Sequence, residues 1–237
     1  MATSKAALTL RGPSVRDYAA LSDMNTTDVA VLDDADQACL DELGRYLAAT
    51  DTWWRFAIWL LHKHFEPAAG EIFVERTVAR GTETTLVRRS WARGLHMAAM
   101  RFDPGVSSGV GVVGMEFADP ADFGATPSVN SRDERVLAGI AERLAAHEKS
   151  ERFGVRLIRD PLGLTENEVL VETVDSTRRP LRCAVVEHDG VHPANTVATC
   201  WQWKPSLSRS RPRPTRDCFI ECYWDSSNGT HWFTAHL

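Results

Sequence analysis

Two histidines separated by a single residue are the strongest candidates for chemistry in this sequence. His62 and His64 flank Lys63 and follow a run of apolar residues. If that run continues as a strand, residues two apart lie on the same face, about 6.5–7 Å from each other. Two imidazoles so placed can bind one metal ion through bonds of about 2.0–2.1 Å. The pair therefore indicates a divalent ion, zinc or iron, that acts as a Lewis acid or activates water or oxygen.

A metal centre needs further ligands, and other strands offer them. His231 is the candidate third ligand, with His96 and Glu71 as alternatives. The thiols of Cys200 and Cys222 are further candidates. Glu71 and His96 are also candidate catalytic residues, because a carboxylate or imidazole near the substrate can act as general base. A cofactor-independent acid–base enzyme therefore stays an alternative.

An internal repeat organises the chain and separates candidate functional residues from structural ones. A shift of 97 positions aligns residues 40–77 with 137–174 without a gap, and many aligned residues are identical. The second copy has Arg159 and Pro161 where the first has His62 and His64. A metal site built on the two histidines is therefore expected in the first copy alone.

Residues that recur in both copies favour structural roles. Glu71 and Glu75 recur as Glu168 and Glu172, and His96 recurs as His192 after a slip of one residue. We expect the glutamates to pair across the sheet with Arg55 and Arg152, which also recur. The histidines lie in Gly-Leu-His and Gly-Val-His turns, which suit hydrogen-bonded side chains.

Each copy is predicted to be a helix followed by antiparallel strands. Helices are expected to begin at Asp34 and Ser131, where Gln37 and Glu134 complete capping boxes. An apolar stripe on each helix indicates that one side lies on a sheet. Alternating residues then predict strands at 56–60, 71–77, 84–89, 97–102 and 110–117, and at 153–157, 168–174, 181–187, 196–203, 218–224 and 231–236. The fold class is therefore α+β, an internally duplicated helix-plus-antiparallel-meander unit packed as one globule.

The pattern divides the chain into three parts. Residues 1–27 lack periodicity and indicate a mobile or loosely docked arm, residues 28–125 form the first repeat, and residues 126–237 form the second. The segment Lys204–Arg216 interrupts the last strands with basic residues and prolines, a composition that disfavours sheet pairing. It is expected to be a solvated loop, or a clamp for an anionic substrate. Asn228-Gly229 predicts a two-residue turn that places Trp224 opposite Phe233.

Composition excludes some functions and leaves others open. The net charge of −5 at pH 7 argues against a general nucleic-acid binder. No apolar run suits a signal peptide or a membrane helix, so we expect a cytoplasmic protein with reduced cysteines. Eight tryptophans indicate core packing or an aromatic pocket.

The sequence favours the hypothesis of a small-molecule metalloenzyme in which His62 and His64 bind the metal ion. The rival hypothesis is a non-enzymatic protein that binds a small ligand in an aromatic-lined pocket or takes part in an assembly. The expected partner is a small-molecule substrate, and neither a nucleic acid nor a membrane. The oligomeric state stays open, with a homodimer as one alternative.

Overall fold

The protein has an α+β fold with a mixed, mostly antiparallel sheet. The computed structural model describes residues 8–23, 31–63, 65–79, 81–91, 93–103, 110–123, 129–158, 168–174, 181–187, 196–204, 215–225 and 230–236. In the last five ranges it describes the backbone, together with the side chains of Arg182 and residues 199–203.

The elements follow the predicted order closely. The helices are α1 (Val15–Ala19), α2 (Asp34–Ala49) and α3 (Ser131–Ala146). The strands of the first half are β1 (Leu8–Arg11), β2 (Ser22–Asp23), β3 (Phe56–Leu60), β4 (His62–Lys63), β5 (Glu71–Val78), β6 (Gly81–Arg88), β7 (His96–Asp103) and β8 (Val110–Ala118). Those of the second half are β9 (Phe153–Leu157), β10 (Glu168–Val174), β11 (Leu181–Glu187), β12 (Thr196–Lys204), β13 (Thr215–Asp225) and β14 (Thr230–His236).

The two long helices begin at Asp34 and Ser131, as predicted, but their capping boxes lie one residue earlier than the sequence pattern indicates. The N-caps are Asp33 and Asn130, and each forms a capping box with an aspartate three residues on, Asp36 or Asp133. The prediction favoured glutamine and glutamate because they are the usual partners in this box. Aspartate takes this position in both helices here, and both aspartates are buried, where they also form ion pairs with arginines.

The large sheet closes on itself. Its order is β1-β8-β5-β6-β11-β10-β14-β13-β12-β3-β9-β7, and β7 pairs in turn with β8. Strand β8 pairs in parallel with β1 and β5 along one edge and antiparallel with β7 along the other. A meander does not predict the two parallel pairs or the closure.

One face of the sheet packs against helices α2 and α3. Alternate residues of β3 and β9, among them Phe56, Ile58, Phe153 and Val155, join the apolar sides of both helices in one buried cluster. Trp203 lies so close to α2 that a methyl group on Gly44 would meet its indole nitrogen at 2.0 Å. The polar sides of the helices remain exposed, so these helices lie outside the closed sheet.

The opposite face of the same strands is also buried, and we call it the inward face. Ala57, Trp59, Ala99, Met115 and Cys200 belong to a second cluster that is separate from the helix side. Strand β3 is therefore covered on both faces, which explains its unbroken apolar sequence. The sequence pattern predicts one inward face for this strand, whereas the closed sheet buries both.

Strands β3 and β9 are neighbours in the sheet and join the two halves of the chain. They pair antiparallel, with Ile58 opposite Val155. The outer neighbour of each strand comes from the other half, since β3 pairs with β12 and β9 with β7.

Two arginines that precede these strands form crossed ion pairs with the helix starts. Arg55 Nη2 lies 2.9 Å from Asp133 of α3, and Arg152 Nε lies 2.8 Å from Asp36 of α2. The prediction that these arginines pair with Glu71 and Glu75 is therefore wrong for their described ion pairs. Each arginine precedes its strand and reaches the start of the opposite helix.

Residues near the N-terminus pack more closely than an arm without periodicity suggests. The elements β1, α1 and β2 occupy residues 8–23, and Tyr18 and Leu21 belong to the inward cluster. Their elements are too short to produce a periodic pattern.

The basic segment and the last hairpin differ from prediction in detail. Lys204 and Arg216 belong to paired strands β12 and β13, so sheet pairing reaches both ends of the segment. Residues 205–214 lie outside the described chain. In the last hairpin Trp224 lies opposite His231 rather than Phe233, because Asp225 pairs with Thr230 and four residues separate them.

The crossed ion pairs predict unequal effects of the same substitution. Arg55→Met leaves Asp133 charged in a place where both side chains are at most 5% exposed, so the free energy of unfolding should fall by about 3–5 kcal/mol. Arg152 is 26% exposed and Asp36 keeps Lys149 at 2.7 Å, so Arg152→Met should cost about 1 kcal/mol. Urea unfolding followed by circular dichroism measures both, and equal losses would contradict the assignment.

Candidate functional site

His62 lies at the inward face, although its strand differs from the prediction. Strand β3 ends at Leu60, and His62 instead begins β4, which pairs with β2 at Ser22. The side chain is buried, with Nδ1 2.7 Å from the carbonyl oxygen of Leu60. Its ring meets that of Trp59 edge to face at 5.9 Å. The expected continuation of β3, with His62 on the face of Phe56, is therefore wrong.

The other predicted site residues are spread over several elements. Glu71 is half-buried and accepts a hydrogen bond of 2.8 Å from the amide of Ala68, a role within its own turn. His96 is half-buried at the start of β7, opposite Ala118. His231 lies on β14, where the backbone alone is described, and His64 lies outside the described residues. Where side chains are described, no three His, Cys, Asp or Glu residues are close enough to hold a metal ion.

A buried arginine dominates the inward face. Arg156 lies in the middle of β9, between Ala57 on β3 and Ala99 on β7. These two small neighbours leave room for the guanidinium to extend across the sheet. Apolar Phe153, Val155 and Leu157 point to the helix side, so alternation along β9 turns Arg156 inward.

Two glutamates bind this guanidinium. Arg156 Nη2 lies 2.6 Å from Glu75 Oε2 on β5, and Nη1 donates to Glu116 on β8. We call these three residues the charged triad. Burial would lower the pKa of Arg156, but the charges of Glu116 and Glu75 outweigh burial and raise it. Arg156 is therefore fully charged at any ordinary pH.

An irregularity in β8 turns Glu116 inward. Ala99 of β7 pairs with Glu116, while the next residue, Met100, pairs with Gly114. The skipped residue, Met115, and Glu116 consequently both reach the inward side. A regular ladder would have placed Glu116 on the opposite face, away from Arg156.

The triad keeps contact with solvent, whereas the small and apolar residues next to it on the sheet do not. Relative exposures are 12% for the Arg156 side chain, 10% for Glu75 and 19% for Glu116. Ala57, Ala99, Met115 and Cys200 have no exposed surface. The exposed surface at this place therefore includes charged atoms of the triad, together with small parts of the Trp59 and Phe73 side chains.

A phenol and a thiol adjoin the triad. Burial raises the pKa of Cys200 to about 12, and the nearby charge of Arg156 offsets this only in part. Burial and then the charge of Glu116 raise the pKa of Tyr18 above its usual range. Both groups are therefore neutral at pH 7 and can act as hydrogen-bonding groups rather than as charges.

Sequence reasoning missed Arg156 and Glu116 as site residues. Arg156 was assigned to an exposed side of β9 because alternation alone does not reveal a closed sheet. A signal was nevertheless present, since the 97-residue shift aligns Arg156 with Trp59. A charge that replaces a tryptophan in a two-sided buried strand indicates a special position. Glu116 carries no comparable signal, because an irregular pairing turns it inward.

The triad predicts that Arg156 is needed for stability. Arg156→Met leaves two buried carboxylates facing each other, so the free energy of unfolding should fall by about 3–5 kcal/mol. The matched control is Arg182→Met, because Arg182 pairs with Glu83 at 2.9 Å on the exposed side of the sheet. That control should cost about 0–1 kcal/mol. A similar small loss for both variants in urea unfolding would show that the triad is not the buried unit described.

Comparison with known proteins adds no family to these observations. No family model, no curated protein and no solved structure matches the chain. No helix within the described ranges is long and apolar enough to cross a membrane. The proposals below therefore rest on the geometry of the described residues.

Proposed function

We propose that the protein binds a small polar molecule at the inward face of its closed sheet, beside Arg156, Glu75 and Glu116. The observation that carries this proposal is the solvent contact that the charged triad keeps next to the fully buried Ala57, Ala99, Met115 and Cys200. Binding sites commonly combine an apolar lining with a few fixed polar groups. Tyr18, Trp59 and Phe73 supply aromatic surface to the same cluster.

The charge balance favours a ligand with a cationic group. Two carboxylates share one guanidinium, so the triad carries a net charge of −1 when both glutamates are ionised. Glu116 is the more exposed of the two acids and is the natural partner for an amine or guanidinium. Partial burial strengthens such a pair relative to one in water.

Internal duplication is part of the proposal, because it explains why a buried charge is present at Arg156 and absent from the aligned position of the first half. Helices α2 and α3 both have 16 residues and begin 97 positions apart, and β3 and β9 have the same spacing. The first half has Trp59 at the position aligned with Arg156. The neighbours of Trp59 on the two adjacent strands, Gly154 and Cys200, are small, as are the neighbours of Arg156. We infer that one half of a duplicated scaffold kept an aromatic residue while the other acquired the charge. A cytoplasmic location fits the buried thiols of Cys39 and Cys200.

Binding of cationic probes tests the proposal. Methylguanidine, butylamine and tetramethylammonium are compared with acetate and butanol, with tryptophan fluorescence as the signal because Trp59 belongs to the cluster. A cationic probe should bind, and Glu116→Gln should weaken it about tenfold, since one charged hydrogen bond contributes about 1.5–3 kcal/mol.

The matched control is Glu83→Gln, which removes an exposed acid of the Arg182 pair and should leave binding unchanged. Equal affinity in wild type and Glu116→Gln, or binding of acetate alone, would overturn the proposal.

A metal-dependent enzyme is the second candidate, in which His62 and His64 bind the ion. The contact between His62 Nδ1 and the Leu60 carbonyl oxygen favours it, because metal-binding histidines commonly donate their other ring N–H to a carbonyl. With Nδ1 as donor, Nε2 carries the lone pair that a metal ion requires. His62 also contacts Trp59, so the ion would border the same inward cluster.

Metal analysis of untagged protein tests this candidate. Wild type should retain zinc or iron near one ion per chain, and His62→Gln should lose it. His147→Gln is the control, because His147 pairs with Glu42 elsewhere at 3.0 Å. Equal, negligible metal in all three proteins would end the metal hypothesis without affecting ligand binding at the triad.

A further inference from the structure

The segment of residues 8–23, which we call the N-terminal segment, joins the large sheet to a separate two-stranded sheet. Its first strand, β1, pairs with β8 at Val110–Val113, and its second, β2, pairs with β4 at His62–Lys63. Helix α1 lies between these strands and places Tyr18 and Leu21 in the inward cluster. The segment therefore connects the strand of Glu116 with the strand of His62.

Tyr18 brings the segment into contact with the strands of the charged triad. Its hydroxyl donates a 2.5 Å hydrogen bond to the carbonyl of Met115, the residue before Glu116. Its ring packs edge-on against Phe73, at 5.1 Å, and Phe73 lies two residues before Glu75 on β5. Tyr18 is 2% exposed. It therefore covers the inward face beside both triad acids.

Two ion pairs join the segment to β7 of the sheet, one between Arg11 and Asp103 at 2.9 Å and one through Asp17. Asp17 accepts two hydrogen bonds from Arg11, at 2.7 and 2.8 Å, and forms an ion pair with Arg101 of β7 at 3.2 Å. Ser14 donates to it through both its amide and its hydroxyl. Burial would raise the pKa of Asp17, but the hydrogen bonds from Arg11 and Ser14 outweigh it and hold the pKa well below its usual range. Among these partners of Asp17, Arg101 belongs to the sheet rather than to the segment.

The segment has little stability of its own. Helix α1 has five residues, β1 has four and β2 has two. Helices of this length do not persist without tertiary contacts. Its position thus depends on tertiary contacts, namely the pairing of β1 with β8 and of β2 with β4, the buried Tyr18 and Leu21, and the ion pairs of Asp17 and Arg11. Such segments open at a lower free energy than the whole protein.

We infer that the N-terminal segment is a movable cover of the inward site, with Tyr18 as the residue that lines the site and Asp17 as the contact that holds the cover closed. This inference rests on the proposed function, because it assigns access to the same site. A ligand reaches the triad when the Asp17 contacts open, and Tyr18 returns over it afterwards.

Thiol labelling tests the inference without any ligand. Cys200 lies beside Arg156 on the inward face, whereas Cys39 lies in the helix-side cluster, and both are fully buried. N-ethylmaleimide is added to the full chain, and labelling of each cysteine is followed by peptide mass spectrometry. In Asp17→Asn the Cys200 rate should rise about tenfold, as loss of a charged hydrogen bond allows, while the Cys39 rate stays unchanged.

Arg11→Gln provides a second variant if Asp17→Asn does not fold, since the Arg11 side chain is 40% exposed and tolerates replacement. Arg182→Gln is the control and should change neither rate. An unchanged Cys200 rate in a folded variant, or equal increases at Cys200 and Cys39, would overturn the inference. If Cys200 labelling rises in Asp17→Asn but no cationic probe binds, the proposed function is wrong. If a probe binds while Cys200 labelling is unchanged, only the inference of a movable cover is wrong.

Discussion

The antiparallel pair of β3 and β9 is the constraint on which the rest of the structure depends. Ile58 and Val155 lie opposite each other at its centre, and the next strand on each side comes from the other half of the chain. The crossed ion pairs, Arg55 with Asp133 and Arg152 with Asp36, fix the helix starts to the same two strands. The position of α2 and α3 and the inward direction of Ala57, Trp59 and Arg156 follow from this pair.

A charge in the middle of such a pair is tolerated because the sheet itself provides the counter-charges. Arg156 has alanines on both neighbouring strands, and its guanidinium reaches Glu75 and Glu116 beyond them. An unpaired guanidinium there would be prohibitively costly, and one carboxylate would suffice to neutralise it. The second carboxylate exceeds what neutralisation requires, and this excess is the part of the arrangement that suggests recognition rather than packing.

Local patterns were sufficient for the two long helices and most strands, but not for α1, β1, β2 and β4 or for the closure of the sheet. Alternation at 153–157 predicted β9 correctly, because each residue there reports its own burial, and the strand predicted at 168–174 coincides with β10. That Arg156 would face an interior depends on β7 pairing with β8 at the far end of the strand order, which no local window contains. Glu116 depends on one skipped residue in a ladder. The capping boxes of Asp33 with Asp36 and of Asn130 with Asp133 were missed because glutamine and glutamate, one residue later, fit the pattern equally well. The histidine pair was conspicuous by type, yet the end of β3 at Leu60 separated His62 from the strand assigned to it.

Both strands that pair with β3 belong to the second half of the chain, and this has a consequence for biosynthesis. Strand β3 lies between β9 and β12, and both are translated after the whole first half of the chain. A ribosome-bound first half can form the β5–β6 and β7–β8 hairpins, but β3, with apolar residues on both faces, has no partner on either edge among the described strands of that half. Such a strand is an aggregation hazard while it waits. The nascent chain therefore depends on shielding of β3, by helix α2 or by a chaperone, until the second half emerges.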